Sequence, residues 1–142
     1  MALSIHPKVS EFISLHRVAR LATADAQGTP HVVPICFAFD GQVIYSALDL
    51  KPKRVAGYKL KRLRNIMENP QVALVIDDYA EDWSTLAYVL IRGIAEILEG
   101  GAERQRAESL LRQKYPQYRK LLEEGCTVLK ITPAKVTGWG RI

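Results

Sequence analysis

The spacing of apolar residues changes period several times along this chain, and each change marks an element. Val9, Phe12, Ile13 and Leu15 recur at helical intervals behind Pro7, which can open a helix without losing a needed N–H, so a short amphipathic helix is predicted over His6 to Leu15. The period then falls to two. Val18 to Ala24 reads as a strand, Asp25 to Gly28 as a turn, and His31 to Phe39 as a second strand. Asp40-Gly41 is a hairpin signal of the kind that needs positive φ, and Gln42 to Ala47 returns as a third strand. Pro34 removes a ladder donor inside the second strand, so the ladder is expected to break there, at an edge or a bulge.

From Tyr58 to Glu68 the pattern is helical again. Leu60, Leu63 and Met67 form one stripe with Ile66 on its border, while Lys61 and Asn65 fall on the opposite side with Arg62 close by. Asn69-Pro70 stops that helix. Gln71 to Asp77 and Leu86 to Leu98 are two further strands, the second long enough to bend at Gly93. Gly100-Gly101 breaks the sheet, Ala102 to Tyr115 is a helix ended by Pro116, and a shorter helical turn runs from Gln117 to Glu124. Cys126 to Ile131 and Lys135 to Trp139 close the chain as strands. Strand does not alternate with helix, which argues against a doubly wound parallel sheet. The expected fold is mainly β: a six- to seven-stranded antiparallel β-barrel with peripheral helices.

With 142 residues, 48% of them hydrophobic and 25% charged, the chain has the composition of one globular domain, 1–142. No apolar run reaches the roughly 20 residues of a spanning helix, and no basic segment followed by an apolar one opens the chain, so no membrane is expected and the expected location is cytoplasmic. Cys36 and Cys126 sit at unrelated spacing in apolar surroundings and read as buried, reduced thiols.

Charge sharpens the picture. Between Leu50 and Met67 lie Lys51, Lys53, Arg54, Lys59, Lys61, Arg62 and Arg64 with no acidic residue, a local excess larger than the net charge of +5. Lys51-Pro52-Lys53 is stiffened by proline shortly after the strand end Tyr45-Ser46-Ala47, whose hydroxyl can join a phosphate site. Lys61 shares its helix face with Asn65 and has no acidic neighbour there. Cations grouped in this way repel one another unless an anion sits between them, so a phosphate-bearing ligand is expected.

Familiar catalytic patterns do not occur: there is no Gly-rich dinucleotide or P-loop motif and no nucleophile elbow. The histidines, His6, His16 and His31, have no partner at metal-ligand spacing, and an odd spacing puts His31 and Cys36 on opposite faces of one strand. No metal is expected. Asp77, Asp78, Glu81 and Asp82 read as a solvated strand-end loop in which Asp82 or Ser84 organises the turn; Tyr79 and Trp83 offer flat surfaces there, or pack on the barrel end. A nucleic-acid partner is not expected, because only Tyr58 interleaves an aromatic with the basic residues.

Taken together, the runs Val18-Ala-Arg-Leu-Ala-Thr23, Gly28-Thr-Pro-His31, Val33-Pro34, Asp40-Gly41, Tyr45-Ser46, Lys51-Pro-Lys53, and Leu60-Lys-Arg-Leu-Arg-Asn-Ile66 through Asn69-Pro70 resemble the split-barrel flavin-binding superfamily related to pyridoxamine 5′-phosphate oxidase. Asp77-Asp-Tyr79 and Asp82-Trp83 resemble its branch of coenzyme F420-dependent enzymes. The resemblance implies a homodimer of split barrels with two sites at the subunit interface. It implies that Val33, Pro34, Ile35 and Cys36 lie along the ring of F420 or, alternatively, FMN. Ser46, Lys51, Lys53, Lys61 and Arg62, with Asn65 nearby, would hold the phosphate, and the partner's Tyr79 to Trp83 loop would complete the site. The expected activity is hydride transfer to or from a small conjugated substrate, with no side chain as obligatory acid or base; the competing reading is a non-catalytic carrier of flavin, deazaflavin or haem. Seven basic residues exceed what one terminal phosphate needs, which favours F420 with its phosphodiester and polyglutamate tail. No second set of phosphate ligands for a pyridoxamine phosphate substrate is evident.

Overall fold

A computed structural model of the chain describes residues 3–48 and 60–142. The elements are α1 (Pro7–Leu15), β1 (Ala19–Ala24), β2 (Pro30–Ile35), β3 (Ala38–Phe39), β4 (Ile44–Ala47), α2 (Lys61–Glu68), β5 (Gln71–Asp78), a 3-10 turn (Trp83–Thr85), β6 (Ala87–Leu98), α3 (Ala102–Lys114), α4 (Tyr118–Leu121) and β7 (Val128–Gly140). The strands form one antiparallel seven-stranded sheet in the order β2-β1-β5-β6-β7-β4-β3.

The two outermost strands of that order, β2 and β3, are consecutive in the chain and joined only by Cys36 and Phe37. Two linking residues hold Ile35 and Ala38 within about 11 Å of each other, so the sheet must curl until its margins meet. The result is a split barrel, mainly β with peripheral helices. Its inner face carries the main core, in which Leu21, Phe37, Ile44, Leu74, Ile76, Val89, Ile91, Leu129 and Ile131 pack with Phe12 and Ile13 of α1 and Leu63 and Ile66 of α2. On the outer face α3 packs against β3, β4 and β7, burying its own Ala107 and Leu111 and the following Tyr115 together with Tyr45 and Val128 of the sheet. Among the described residues no helix packs on the outer face of β1, β5 and β6.

Several local expectations shift. The predicted second strand divides into β2 and β3, and the division comes at Cys36-Phe37 rather than at Pro34, which stays in register opposite Arg20. A proline is tolerated there because β2 is an edge strand. The two closing strands are one, β7, bulged opposite Arg92/Gly93. Gly93 marks that bulge for a steric reason: a Cβ built on it would lie 2.4 Å from the Thr132 carbonyl oxygen. In α2, Asn65 is buried and Met67 is exposed, the reverse of the predicted faces. The helix leans its Leu63–Ile66 side into the barrel mouth, and Asn65 turns inward with it. Tyr58 and Lys59 lie outside the described residues.

Candidate functional site

The basic end of α2 is built against the usual rule. Helix N-termini favour acidic residues, since the first N–H groups and the macrodipole are positive, yet the first turn here carries Lys61 and Arg62 and no acid, and Leu60 offers no side-chain cap. This combination suits an anion. The surrounding charge is not all positive, however. Lys61 Nζ lies 3.9 Å from Asp25 Oδ2, which corrects the expectation of a lysine without an acidic neighbour: the β1–β2 turn, distant in sequence, folds back beside the helix. The Asp25 carboxylate is fixed by the Thr29 and Gln27 backbone N–H groups, both donating to Oδ1 at 2.9 Å. These bonds, that of Thr29 foremost, hold its carboxyl below the usual carboxylate range, so it is charged at neutral pH. Arg62 is half-buried and Arg64 exposed; Lys51 and Lys53 lie outside the described residues.

Directly beneath α2 is a buried polar cluster. Asn65, fully buried, donates from Nδ2 to Thr23 Oγ1 at 3.0 Å. Thr23 is the cross-strand partner of His31. Asn65 Oδ1 and His31 Nδ1 are both buried without a hydrogen-bond partner. Each such group costs about 1–3 kcal/mol if it stays unmet, so the cluster has unused hydrogen-bonding capacity. The helix pattern alone marks Asn65 and does not group it with Thr23 and His31. The signal was there, because a hairpin centred on Gln27 pairs those two positions.

Along β2 the side chains alternate. Val33 and Ile35 point into the core, whereas Val32 and Pro34 are exposed on the outer face. Of the four residues expected along a ring system, Pro34 therefore offers its side chain, Val33 and Ile35 only their backbone. Cys36 is half-buried against the α3 cluster, and its carbonyl accepts the hydroxyl of buried Ser46 at 2.8 Å. Ser46 thus already uses its proton within the chain, leaving its oxygen as an acceptor.

The link between the sheet margins is pinned by α3. Tyr115 Oη accepts the Phe37 N–H at 3.0 Å and lies 2.7 Å from the Arg17 carbonyl, to which it can donate. Burial pushes this phenol up to about 12. Lys114 Nζ donates to the His16 carbonyl and sits 3.9 Å from the Phe37 ring centroid. Burial, with Arg17 nearby, lowers its ammonium to about 8.

Tyr79 and Trp83 are exposed at the far end of β5, where Asp82 accepts from the backbone N–H and hydroxyl of Ser84. Those bonds lower the Asp82 carboxyl. β5 starts near the α2 end and runs eight residues, about 23 Å, to this loop. One chain therefore brings Lys61, Asn65, Thr23 and His31 together and leaves Tyr79 and Trp83 at the opposite end.

A curled seven-stranded antiparallel sheet whose margins are joined by a two-residue link is a split barrel. The family model described as pyridoxamine 5′-phosphate oxidase matches residues 5–140, and the chain belongs to that family. It is 33% identical over 125 residues, 85% of this chain and 72% of the relative, to a 5a,11a-dehydrotetracycline/5a,11a-dehydrooxytetracycline reductase of Streptomyces rimosus. Among solved structures it is similar to HutZ, the haem storage protein of Vibrio cholerae (TM-score 0.73, 17% identity, 97% of this chain and 95% of the other). An FAD-binding protein of Mesorhizobium loti is also similar (TM-score 0.70, 22% identity, 97% and 95%).

Proposed function

We propose that the protein is an oxidoreductase that binds F420, with FMN as the second fit, at the seam of a homodimer, and that it exchanges hydride with a small conjugated substrate. The observation that carries the oxidoreductase part of the reading is the 33% identity to a 5a,11a-dehydrotetracycline/5a,11a-dehydrooxytetracycline reductase. The residues fit such a cofactor: an α2 first turn with two cations and no acid of its own, Lys61 being shared with Asp25, above a buried cluster with two unpartnered polar atoms. Lys61 and Arg62, with Lys51 and Lys53, would hold phosphate. Asn65 and His31 would meet polar groups of the cofactor next to its phosphate, on the face of β2 opposite Pro34.

When bound, such a cofactor supplies the two-electron chemistry. The chain's own part is to neutralise charge, orient and exclude water. In a homodimer, a second copy related by a two-fold axis would bring its Tyr79–Trp83 loop to the basic end of the first. Tyr79 and Trp83, both exposed in the single chain, would then form the cover.

Titration with F420 and with FMN, followed by absorption and fluorescence, tests this directly. Micromolar binding of F420 with turnover of a quinone or enone acceptor is expected; binding of neither cofactor overturns the reading. Saturation without turnover would instead favour a carrier. Of the three histidines, His16 has both ring nitrogens engaged, by the Phe12 carbonyl and Asp78, and His31 lies under α2, which leaves exposed His6 as the ligand a haem carrier would use.

A further inference from the structure

One flank of α3 faces the segment that leads into β7, and between them lies a cavity of about 520 Å³. Arg104, Glu108 and Arg112 line it at i, i+4 spacing with Ser109 beside them, while Glu124 and Gly125 line it from the other side. At its base two guanidiniums share one carboxylate. Glu108 accepts from Arg104 at 2.9 Å, from Arg112 at 3.0 Å and from the Gly125 N–H at 3.2 Å. Burial alone would raise the Glu108 carboxyl, but the bonds from the two arginines outweigh it and hold it below the ordinary carboxylate range. It is therefore charged at neutral pH, and the base keeps a surplus positive charge.

The two arginines use their nitrogens differently. Arg112 commits all of them, Nε and Nη2 to Glu108, Nη1 to the Tyr118 carbonyl and Nη2 also to the Leu122 carbonyl. Arg104 is only 6% exposed, yet among the described residues it commits Nη1 alone, to Glu108 and to Cys126. Its Nε–Nη2 edge has no acceptor in the chain. A buried guanidinium edge in that state is costly unless something in the cavity accepts from it.

Glu124 stands across the opening. It is exposed, and among the described residues its carboxylate makes no hydrogen bond or ion pair. Gly125, in the left-handed region at φ 74°, makes the turn that presents it. An unspent cation edge and an unspent carboxylate thus line one cavity without joining each other.

We propose that this cavity binds a small zwitterion of the amino-acid class, its carboxylate on the Nε–Nη2 edge of Arg104 and its ammonium on Glu124. The two parallel N–H groups of that edge match the two oxygens of a carboxylate, which makes Arg104 the anchor and leaves Glu124 to select the amine. Ser109 adds a hydroxyl at the wall. None of these residues belongs to the cofactor site, so the proposal does not rest on the oxidoreductase reading.

The test titrates γ-aminobutyrate, butyrate and butylammonium into the whole protein, followed by heteronuclear NMR with the Arg104 Nε–H and Gly125 N–H signals as local reporters. The zwitterion should shift both signals saturably and bind about two- to fivefold tighter than butyrate, the worth of one exposed ion pair, while butylammonium leaves them unmoved. Arg104→Lys keeps a charged donor for Glu108 but removes the paired edge, and should weaken both carboxylates by about tenfold. Glu124→Gln should erase the preference for γ-aminobutyrate and leave butyrate unchanged to within about twofold. The comparison of the parent with Glu124→Gln, an exposed position, stands by itself should the Arg104 variant fail to fold. No saturable shift with either carboxylate, binding of butylammonium equal to that of butyrate, or a preference that survives Glu124→Gln would each overturn the proposal.

Discussion

Asn65 gives its side-chain N–H to the hydroxyl of Thr23 at 3.0 Å and leaves its oxygen, equally buried, without a partner. A fold selected only for stability has no use for that second atom. Replacing Asn65 with Leu keeps the branched shape and removes the orphaned oxygen, but it also strips the buried Thr23 hydroxyl of its partner, so stability without cofactor is expected to fall by about 1–3 kcal/mol. Cofactor affinity is expected to fall by about tenfold, the loss of one good hydrogen bond in a dry site. Unfolding curves recorded with and without F420 or FMN check both halves. An unchanged cofactor-induced shift in Tm would show that the cluster serves folding instead.

Lys61 and Asp25 give a second, opposite expectation. Their groups are 3.9 Å apart, and the carboxylate is charged at neutral pH, so it competes with any anion for the lysine. Asp25→Asn keeps an oxygen for the Gln27 and Thr29 N–H groups but removes the charge. Affinity for FMN or inorganic phosphate should rise by about two- to fivefold at low salt, and this gain should shrink in about 0.5 M salt. Lys61→Ala, read in the same titration, should lose affinity. A variant series in which neither substitution moves the binding constant would disconnect this helix end from anion binding.

Gly93 is fixed by its neighbour rather than by its own backbone angles. Any Cβ there meets the Thr132 carbonyl at 2.4 Å and must push β7 away from β6. Gly93→Ala is expected to destabilise the domain by about 2–4 kcal/mol, measured by urea unfolding. A value under about 0.5 kcal/mol would mean that the bulge yields freely.

Lys114 predicts a pH dependence. Its folded value, about 8, is below the ordinary 10.5, chiefly through burial. Below pH about 8 both folded and unfolded chains carry the proton and the fold bears the full burial penalty. Between about 8 and 10.5 the unfolded chain holds more protons, so this group makes stability rise with pH. Discounted for partial solvation, the rise should amount to about 1 kcal/mol and be absent in Lys114→Met. Tyr115, raised to about 12 from 10.0, acts in the other direction above pH 10, so denaturation is best compared between the lower pair of values.

How much of this was legible in the sequence depends on what kind of signal each feature leaves. Strand and helix periods are local, so the sheet, its helices and the glycine at the bulge could be read directly from residues such as Gly93, Asp40-Gly41 and Pro116. The inward turn of Asn65 could not. Periodicity assigned it to the polar side because it falls opposite the Leu60–Leu63–Met67 stripe, and only packing of Leu63 and Ile66 into the barrel mouth rotates it under the helix. The Asp25–Lys61 approach escaped for the same reason, being a contact between a turn and a helix distant in the chain. The basic segment was plain as composition; its described part is divided among a lysine shared with Asp25, a half-buried Arg62 and an exposed Arg64. Nothing local marks Arg92 and Lys135 as a pair. Their opposition exists only once β6 and β7 are paired across the bulge.

The two-residue link between β2 and β3 also bears on solubility. Open sheets carry a bare row of backbone donors and acceptors along each rim, on which foreign strands can grow. Here one rim is two residues long and the other bears Pro30 and Pro34, and joining them leaves little continuous template for a passing chain. The short clasp at Cys36 and Phe37 thus guards against fibril-like stacking while it shapes the barrel.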